Sequence, residues 1–248
     1  DLGVALERLA DRSRSIVGQH RCVLTLGLAG YAVRLEAAGP ALLDFVHPAF
    51  AHLPRLDDDT PADLAVTMWD SASTGEAYPV LPLPAVERAA TGVVRTPATV
   101  LSYNTVEQGL SVLDRVADRA LYIAGDAANL PPWERPGPLR NLLAWWLMGR
   151  GKLLAHSAAV STEEGAVLLI GPGGSGKSST ALACMAAGMG YLGDDYVVID
   201  PDGRTVWSVY SSAKLVVAHH ERHPHLMTAE ATIHHEARDD KQYGWPAL

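Results

Sequence analysis

The sequence predicts an α/β protein with a mixed sheet and a phosphate-binding loop, preceded by a smaller, mostly β or α/β domain. Three observations carry this. Residues 168–183, LLIGPGGSGKSSTALA, run from an apolar stretch through a glycine-rich loop into a helix-forming tail. The alternating segments RCVLTLGL (21–28) and YAVRLEA (31–37) flank Ala29-Gly30 and read as a β-hairpin. Near residue 130 the chain changes character: LPPWERPGP (130–138) holds Pro131, Pro132, Pro136 and Pro138, which neither a helix nor a central strand tolerates. The expected organisation is an N-terminal domain over 1–130 with substrate recognition as its candidate role, a Pro-rich linker over 131–138, and the loop-bearing domain over 139–248.

The elements follow in order. Leu64, Val66 and Met68 alternate in ADLAVTMWD as in a strand, and YPVLPLP (78–84) interrupts regular structure. LRNLLAWWLMGR (139–150) is apolar nearly all round, as in a buried helix, which makes Trp145 and Trp146 core residues. LLAHSAAV (153–160), the turn-like STEEG and the apolar AVLLI (166–170) read as a hairpin whose second strand is buried and feeds the loop. The loop helix starts at Lys177, runs to about Met185 and is stopped by Gly188 and Gly190. YLGDDYVVID (191–200), the turn Pro201-Asp202-Gly203 and RTVWSVY (204–210) read as a second hairpin.

Composition narrows the partners. With 48% hydrophobic and 19% charged residues in 248, the chain has the makings of a folded core. A net charge of −8 argues against nucleic acid. The longest apolar stretch, Leu142–Met148, falls far short of the roughly 20 residues of a membrane span. The start DLGVALERLADR is acidic where a signal peptide is basic, so a cytoplasmic protein is expected. Cys22 and Cys184, far apart, suggest neither a disulfide nor a zinc site.

The chemistry concentrates after residue 150. Gly171 to Ser178 fits G-x-x-x-x-G-K-[ST] without a mismatch, with a strand before it and a helix after. Gly171, Gly173, Gly174, Ser175 and Gly176 let backbone N–H groups converge on phosphates, and the helix adds its positive end. Lys177 is a mobile charge for the outer phosphates. Ser178 is a candidate Mg²⁺ ligand, and Ser179 and Thr180 lie within reach of phosphate in the first turn. ATP and Mg²⁺ are therefore the expected cofactors. The adjacent carboxylates of Asp194 and Asp195 point to opposite sides of an extended chain, so one, Asp194, can serve the metal and the other an incoming hydroxyl. His156 stands at the start of the strand that hairpins into the loop strand, and antiparallel pairing carries it back towards the loop.

His156 in HSAAV, the loop GPGGSGKSS and GDDYVVI, in this order, resemble the HPr kinase/phosphorylase family, whose catalytic domain shares its fold with phosphoenolpyruvate carboxykinases. The resemblance covers roughly 139–217. It implies active-site roles for His156, Lys177, the metal-binding Ser178 and Asp195, the last as base toward a serine hydroxyl. With PLRNLLAWWL and SVYSSAKL the pattern looks still more like the HPr-kinase-like enzymes of lasso-peptide tailoring, and it marks Lys214 as a candidate phosphate or substrate contact. The family's glycine-rich EVRG-like signature is missing; Glu236 and Arg238 of HHEARDDK keep a fragment, so reverse phosphorolysis and HPr as substrate do not carry over. The family pattern also leads one to expect more catalytic domain beyond GWPAL.

The reading is an ATP-dependent kinase acting on a hydroxyl, with a serine of a peptide or protein as acceptor. A nucleotide hydrolase or switch, a non-catalytic nucleotide sensor that binds a peptide, and a small-molecule alcohol kinase stand as alternatives, and a homo-oligomer is left open. His219, His220, His223, His225, His234 and His235 form a cluster in which a substrate lid is favoured over a metal site.

Overall fold

The computed structural model describes residues 1–83, 91–200, 204–216, 232–235 and 240–244; for 132, 214–216, 232–235 and 240–244 it describes backbone alone. The protein is mixed α/β and divides into two units. One comprises Asp1–His47, Pro54–Pro131 and Leu139–Gly149, the other Pro48–Leu53, Pro132–Pro138 and Arg150–Leu248. Among the described residues no helix is long and apolar enough to cross a membrane.

The first unit runs α1 (Leu2–Gln19), β1 (Arg21–Leu28), β2 (Tyr31–Ala38), α2 (Ala41–Phe50), β3 (Leu64–Asp70), the single turn α3 (Ser71–Thr74), β4 (Thr91–Arg95), β5 (Thr99–Asn104), β6 (Gly109–Asp114), β7 (Arg119–Ala124) and α4 (Arg140–Met148). Its strands form one seven-stranded sheet in the order β1-β2-β3-β7-β6-β5-β4. The β2–β3 and β3–β7 pairs are parallel and the rest antiparallel. The first hairpin closes as the sequence suggests: Leu28 pairs with Tyr31, and Ala29 and Gly30 both take positive φ, 50° and 87°, as a two-residue hairpin turn of matching twist requires.

Alternation along β3 sends Leu64, Val66 and Met68, all fully buried, to one face and Ala65, Thr67 and Trp69 to the other. The Trp69 face packs Leu9, Ile16 and Val17 of α1 against Leu101, Leu110, Val112, Leu121 and Ile123. Trp69 itself is fully buried with its indole N–H donating to Ser13 Oγ at 2.9 Å, so its polar atom carries no desolvation penalty. In α4, Trp145 and Trp146 are buried; Trp146 meets Tyr31 edge-on at 5.1 Å and donates to Asp118 Oδ1 at 3.3 Å. These partners tie α4 to the first unit, although it follows the expected linker.

The second unit contains β8 (Leu153–Ala155), β9 (Ala158–Thr162), β10 (Gly165–Leu169), α5 (Lys177–Ala186), β11 (Gly190–Gly193), β12 (Val197–Ile199), β13 (Val206–Ser208), β14 (Ala213–Val216), β15 (Thr232–His235) and β16 (Asp240–Gly244). They form three sheets of three strands, β10-β9-β11, β13-β12-β8 and β14-β16-β15. Pro132–Pro138 is no free spacer. The Pro136 carbonyl accepts from Ser212 Oγ at 2.6 Å and the Pro138 carbonyl from the buried Tyr210 hydroxyl at 2.9 Å, which fastens the segment to the chain after β13.

Two local expectations change. LLAHSAAV is two short strands in different sheets, broken at His156-Ser157, so His156 lies between strands rather than at the start of one. Among the described residues the loop-feeding strand β10 is an edge strand with Val167 53% exposed, where a buried strand was expected. An apolar run of this length reads the same whether it sits at the centre or the edge of a sheet. The turn 201–203 falls outside the described residues.

Candidate functional site

Strand register gathers the candidate residues at one end of the β10-β9-β11 sheet. Leu169, the last residue of β10, pairs with Ala158, the first of β9, and Gly193, the last of β11, pairs with Ala159. The loop 171–176 therefore leaves the sheet at the same edge where His156-Ser157 enters it and Asp194-Asp195 departs from it. Helix α5 packs Ala181 on Ala158 and Val160 of β9, which fixes the loop between strand and helix.

The loop is open. Residues 172–176 are exposed, Gly174 and Gly176 take φ of 79° and 89°, and a Cβ on Gly173, Gly174 or Gly176 would meet nothing within 4 Å. Gly176 caps α5 in the left-handed conformation and offers no side-chain acceptor to the first N–H groups of the helix. Lys177 Nζ donates back to the carbonyls of Gly171 at 2.8 Å and Pro172 at 3.2 Å. Ser178 and Ser179 are half-buried and Thr180 is exposed; Ser175 N–H closes a turn onto the Pro172 carbonyl.

His156 and Asp195 sit where the chain passes from one antiparallel ladder to another. On one side Leu153, Leu154 and Ala155 pair with Ile199, Val198 and Val197; on the other Ala159 pairs with Gly193. Equal lengths of chain separate Ala155 from Ala159 and Gly193 from Val197, so the register is kept across the gap, and it slips by one residue only farther on, between Tyr191 and Gly193. His156 is thus opposite Tyr196, and their rings stack at 5.0 Å and 20°. Tyr196 meets Tyr210 edge-on at 6.5 Å. Ser157 N–H bonds the Ala155 carbonyl at 3.0 Å, a tight turn that swings His156 outward to 58% side-chain exposure. His156 Nε2 then lies 3.5 Å from Asp195 Oδ1.

The two carboxylates part company: Asp194 is 2% exposed and Asp195 half-buried against His156. Gly193 makes this possible. Its φ is 153°, and a Cβ there would lie 3.1 Å from both the Tyr196 carbonyl and Val197 Cγ1. Behind the pair stands Tyr191, partly buried, its hydroxyl donating to the Ser212 carbonyl at 2.9 Å. Burial first, then the charges of Asp194 and Asp195, push its ionisation well above the usual value of 10.0.

Lys214 is placed by backbone alone, in β14 opposite Tyr243. His219, His220, His223 and His225 lie outside the described residues, as do Glu236 and Arg238, while His234 and His235 fall in β15. No group of three or more His, Cys, Asp or Glu suited to a metal occurs among the described residues. Sequence reasoning missed the Tyr191, Tyr196 and Tyr210 set and the buried Ser157, whose Oγ has no hydrogen-bond partner. The tyrosines at 191 and 196 flank the acid pair, but nothing in their spacing distinguishes them from core aromatics. No family model matches the chain, and no curated protein matches it.

Proposed function

We propose that this protein is an ATP-dependent kinase that phosphorylates a hydroxyl, a peptide or protein serine in the first instance, on a domain of the HPr kinase and phosphoenolpyruvate carboxykinase type. The observation that carries the proposal is the convergence of the glycine loop, His156 and the Asp194-Asp195 pair at one end of a three-stranded sheet.

The residues fit Mg²⁺·ATP. The loop is an exposed cradle that a Cβ at its left-handed glycines would strain, and Ser178 with Asp194 offers the hard oxygen ligands magnesium takes. One or two protein oxygens suffice for magnesium, which takes its other ligands from phosphate and water. When bound, the nucleotide supplies the phosphoryl group and its metal the neutralising charge.

The chain's own residues do the rest. Lys177, whose Nζ donates to the Gly171 and Pro172 carbonyls, would exchange those bonds for phosphate oxygens of a bound nucleotide and bring its positive charge to them. Asp195 accepts the proton of the acceptor hydroxyl at its carboxylate, and His156 Nε2 fixes the direction in which that carboxylate faces. Tyr191, held protonated, packs beneath the acids without competing for the proton.

The decisive measurement is phosphate transfer to serine peptides, read by mass spectrometry, with nucleotide binding followed separately. Asp195→Asn is expected to retain binding while transfer falls by ~10²-fold or more. Full transfer in that variant would remove Asp195 as the base. Phosphate release at an unchanged rate with or without peptide would point to a hydrolase instead.

A further inference from the structure

We propose that the protein associates with a second copy of itself through β10, the free edges of two such strands pairing antiparallel about a two-fold axis at Val167. Among the described residues β10 ends the β10-β9-β11 sheet, so one side of its backbone has no strand to bond. Gly165, Ala166 and Val167 are exposed, and Ile170, just past the strand, is 76% exposed. Edge strands that stay single commonly carry a Lys, a Pro or a bulge that bars pairing. Residues 165–170 read GAVLLI, and the pairing with β9 keeps one register from Gly165 to Leu169. None of the three devices occurs in this strand, so its outer edge is open to another.

Charge selects the occupant. From 157 to 193 the only charged residues are Glu163, Glu164 and Lys177. The two glutamates form the exposed turn that leads into β10. Lys177 belongs to the other end, its Nζ on the carbonyls of Gly171 and Pro172. The strand between them spans about 14 Å, more than a Debye length of about 8 Å at physiological salt, so acids and amine do not neutralise each other within one chain. Neither glutamate has an ion-pair partner among the described residues, and Lys177 bonds carbonyls alone.

A two-fold axis at Val167 sets Gly165 of one copy against Leu169 of the other, Ala166 against Leu168, and Val167 against its own counterpart, a β-branched pair of the kind that stabilises sheets. Small residues face large ones and no charge opposes another along the strand. Continued past its ends, the same register brings Glu164 opposite Ile170 and Glu163 opposite Gly171, whose carbonyl holds Lys177. Each acidic turn thus meets the basic end of the other copy, at both ends of the contact at once. A five-residue edge with two charged ends is a small interface, which implies a reversible dimer.

The test is sedimentation velocity of the full chain without nucleotide, so that its outcome is independent of phosphate transfer. A monomer–dimer equilibrium that shifts with concentration is expected, and salt should weaken it. Val167→Lys sets two ammonium groups across the axis and should abolish the dimer with the circular dichroism unchanged, whereas Val167→Thr should keep it. Glu163→Gln combined with Glu164→Gln should weaken association about fivefold. Cysteines read the register. Under copper phenanthroline Val167→Cys should link copy to copy, since Cα atoms about 4.5–5.5 Å apart across the axis suit a disulfide. Ile170→Cys, about 20 Å from its counterpart in that register, should link no more than the parent with its Cys22 and Cys184. A monomer at every concentration, a dimer indifferent to Val167→Lys, or equal linking by the two cysteine variants overturns the proposal.

Discussion

Asp195 and His156 share a contact that a list of motifs could not supply. At 3.5 Å the imidazole orients the carboxylate without burying it, and the stack on Tyr196 holds the imidazole in turn. Removing the ring by His156→Ala should lower turnover by ~10²-fold while nucleotide affinity stays within a factor of about two, since the ring lies off the loop; steady-state kinetics beside nucleotide titration separates the two effects. Tyr191 predicts a pH effect. Its ionisation is raised in the folded state, so its contribution to stability is complete below pH 10.0 and is lost as the pH climbs past that value towards the folded one. Denaturation at alkaline pH should therefore be less steep in Tyr191→Phe, although that variant forfeits the bond to the Ser212 carbonyl, worth about 1 kcal/mol. In the other unit Ser13→Ala strands the buried indole N–H of Trp69 and should cost about 1–3 kcal/mol by chemical denaturation.

At the scale of elements the sequence was readable where geometry is local. The Ala29-Gly30 hairpin, the loop helix and the β12–β13 hairpin needed only turn chemistry and periodicity. The break at His156-Ser157 was not readable, because an extended chain that changes sheet keeps its alternation on both sides. The edge position of β10 was hidden for the same reason: pairing partners come from distant chain, which composition does not report. Gly193 falls between the two cases, since GDD marks a turn but not a φ of 153° with two atoms at 3.1 Å. Gly193→Ala should destabilise the second unit by about 1–3 kcal/mol and displace the acid pair, with turnover falling in step. Gly173→Ala, whose Cβ meets nothing, should leave the melting curve within about 0.5 kcal/mol of the parent. A thermal-shift comparison of the two distinguishes a structural glycine from one that only lets phosphate approach.

For the molecule as a whole, the proline-rich stretch falls where the chain passes between the two units: Pro131 closes a segment of the first, Pro132–Pro138 belongs to the second, and Leu139–Gly149 returns to the first. Four prolines exclude helix and central strand, yet they do not forbid a segment from being held by its carbonyls, as Pro136 and Pro138 are. Helix α4 went to the first unit through Trp146, a side-chain preference that its all-round apolarity left open. If the nucleotide site lies wholly in the second unit, hydrogen exchange with a non-hydrolysable ATP analogue should show new protection over about 153–199 and none in β1–β7. Protection spread equally over both units would contradict that assignment.

The pairing that keeps its register past His156 and Asp195, after slipping by one residue between Tyr191 and Gly193, also constrains how this chain can change in evolution. Residues 156–158 and 194–196 are gaps of equal length between paired strands, so deleting one residue from either gap offsets every partner on one side and turns apolar side chains to the wrong face. A second deletion in the opposite gap restores the match. Insertions and deletions in these two short segments should therefore survive more often in compensating pairs than singly, since a lone change needs a second irregularity beside the one between Tyr191 and Gly193; a library of single and double deletions would expose this by its survivors.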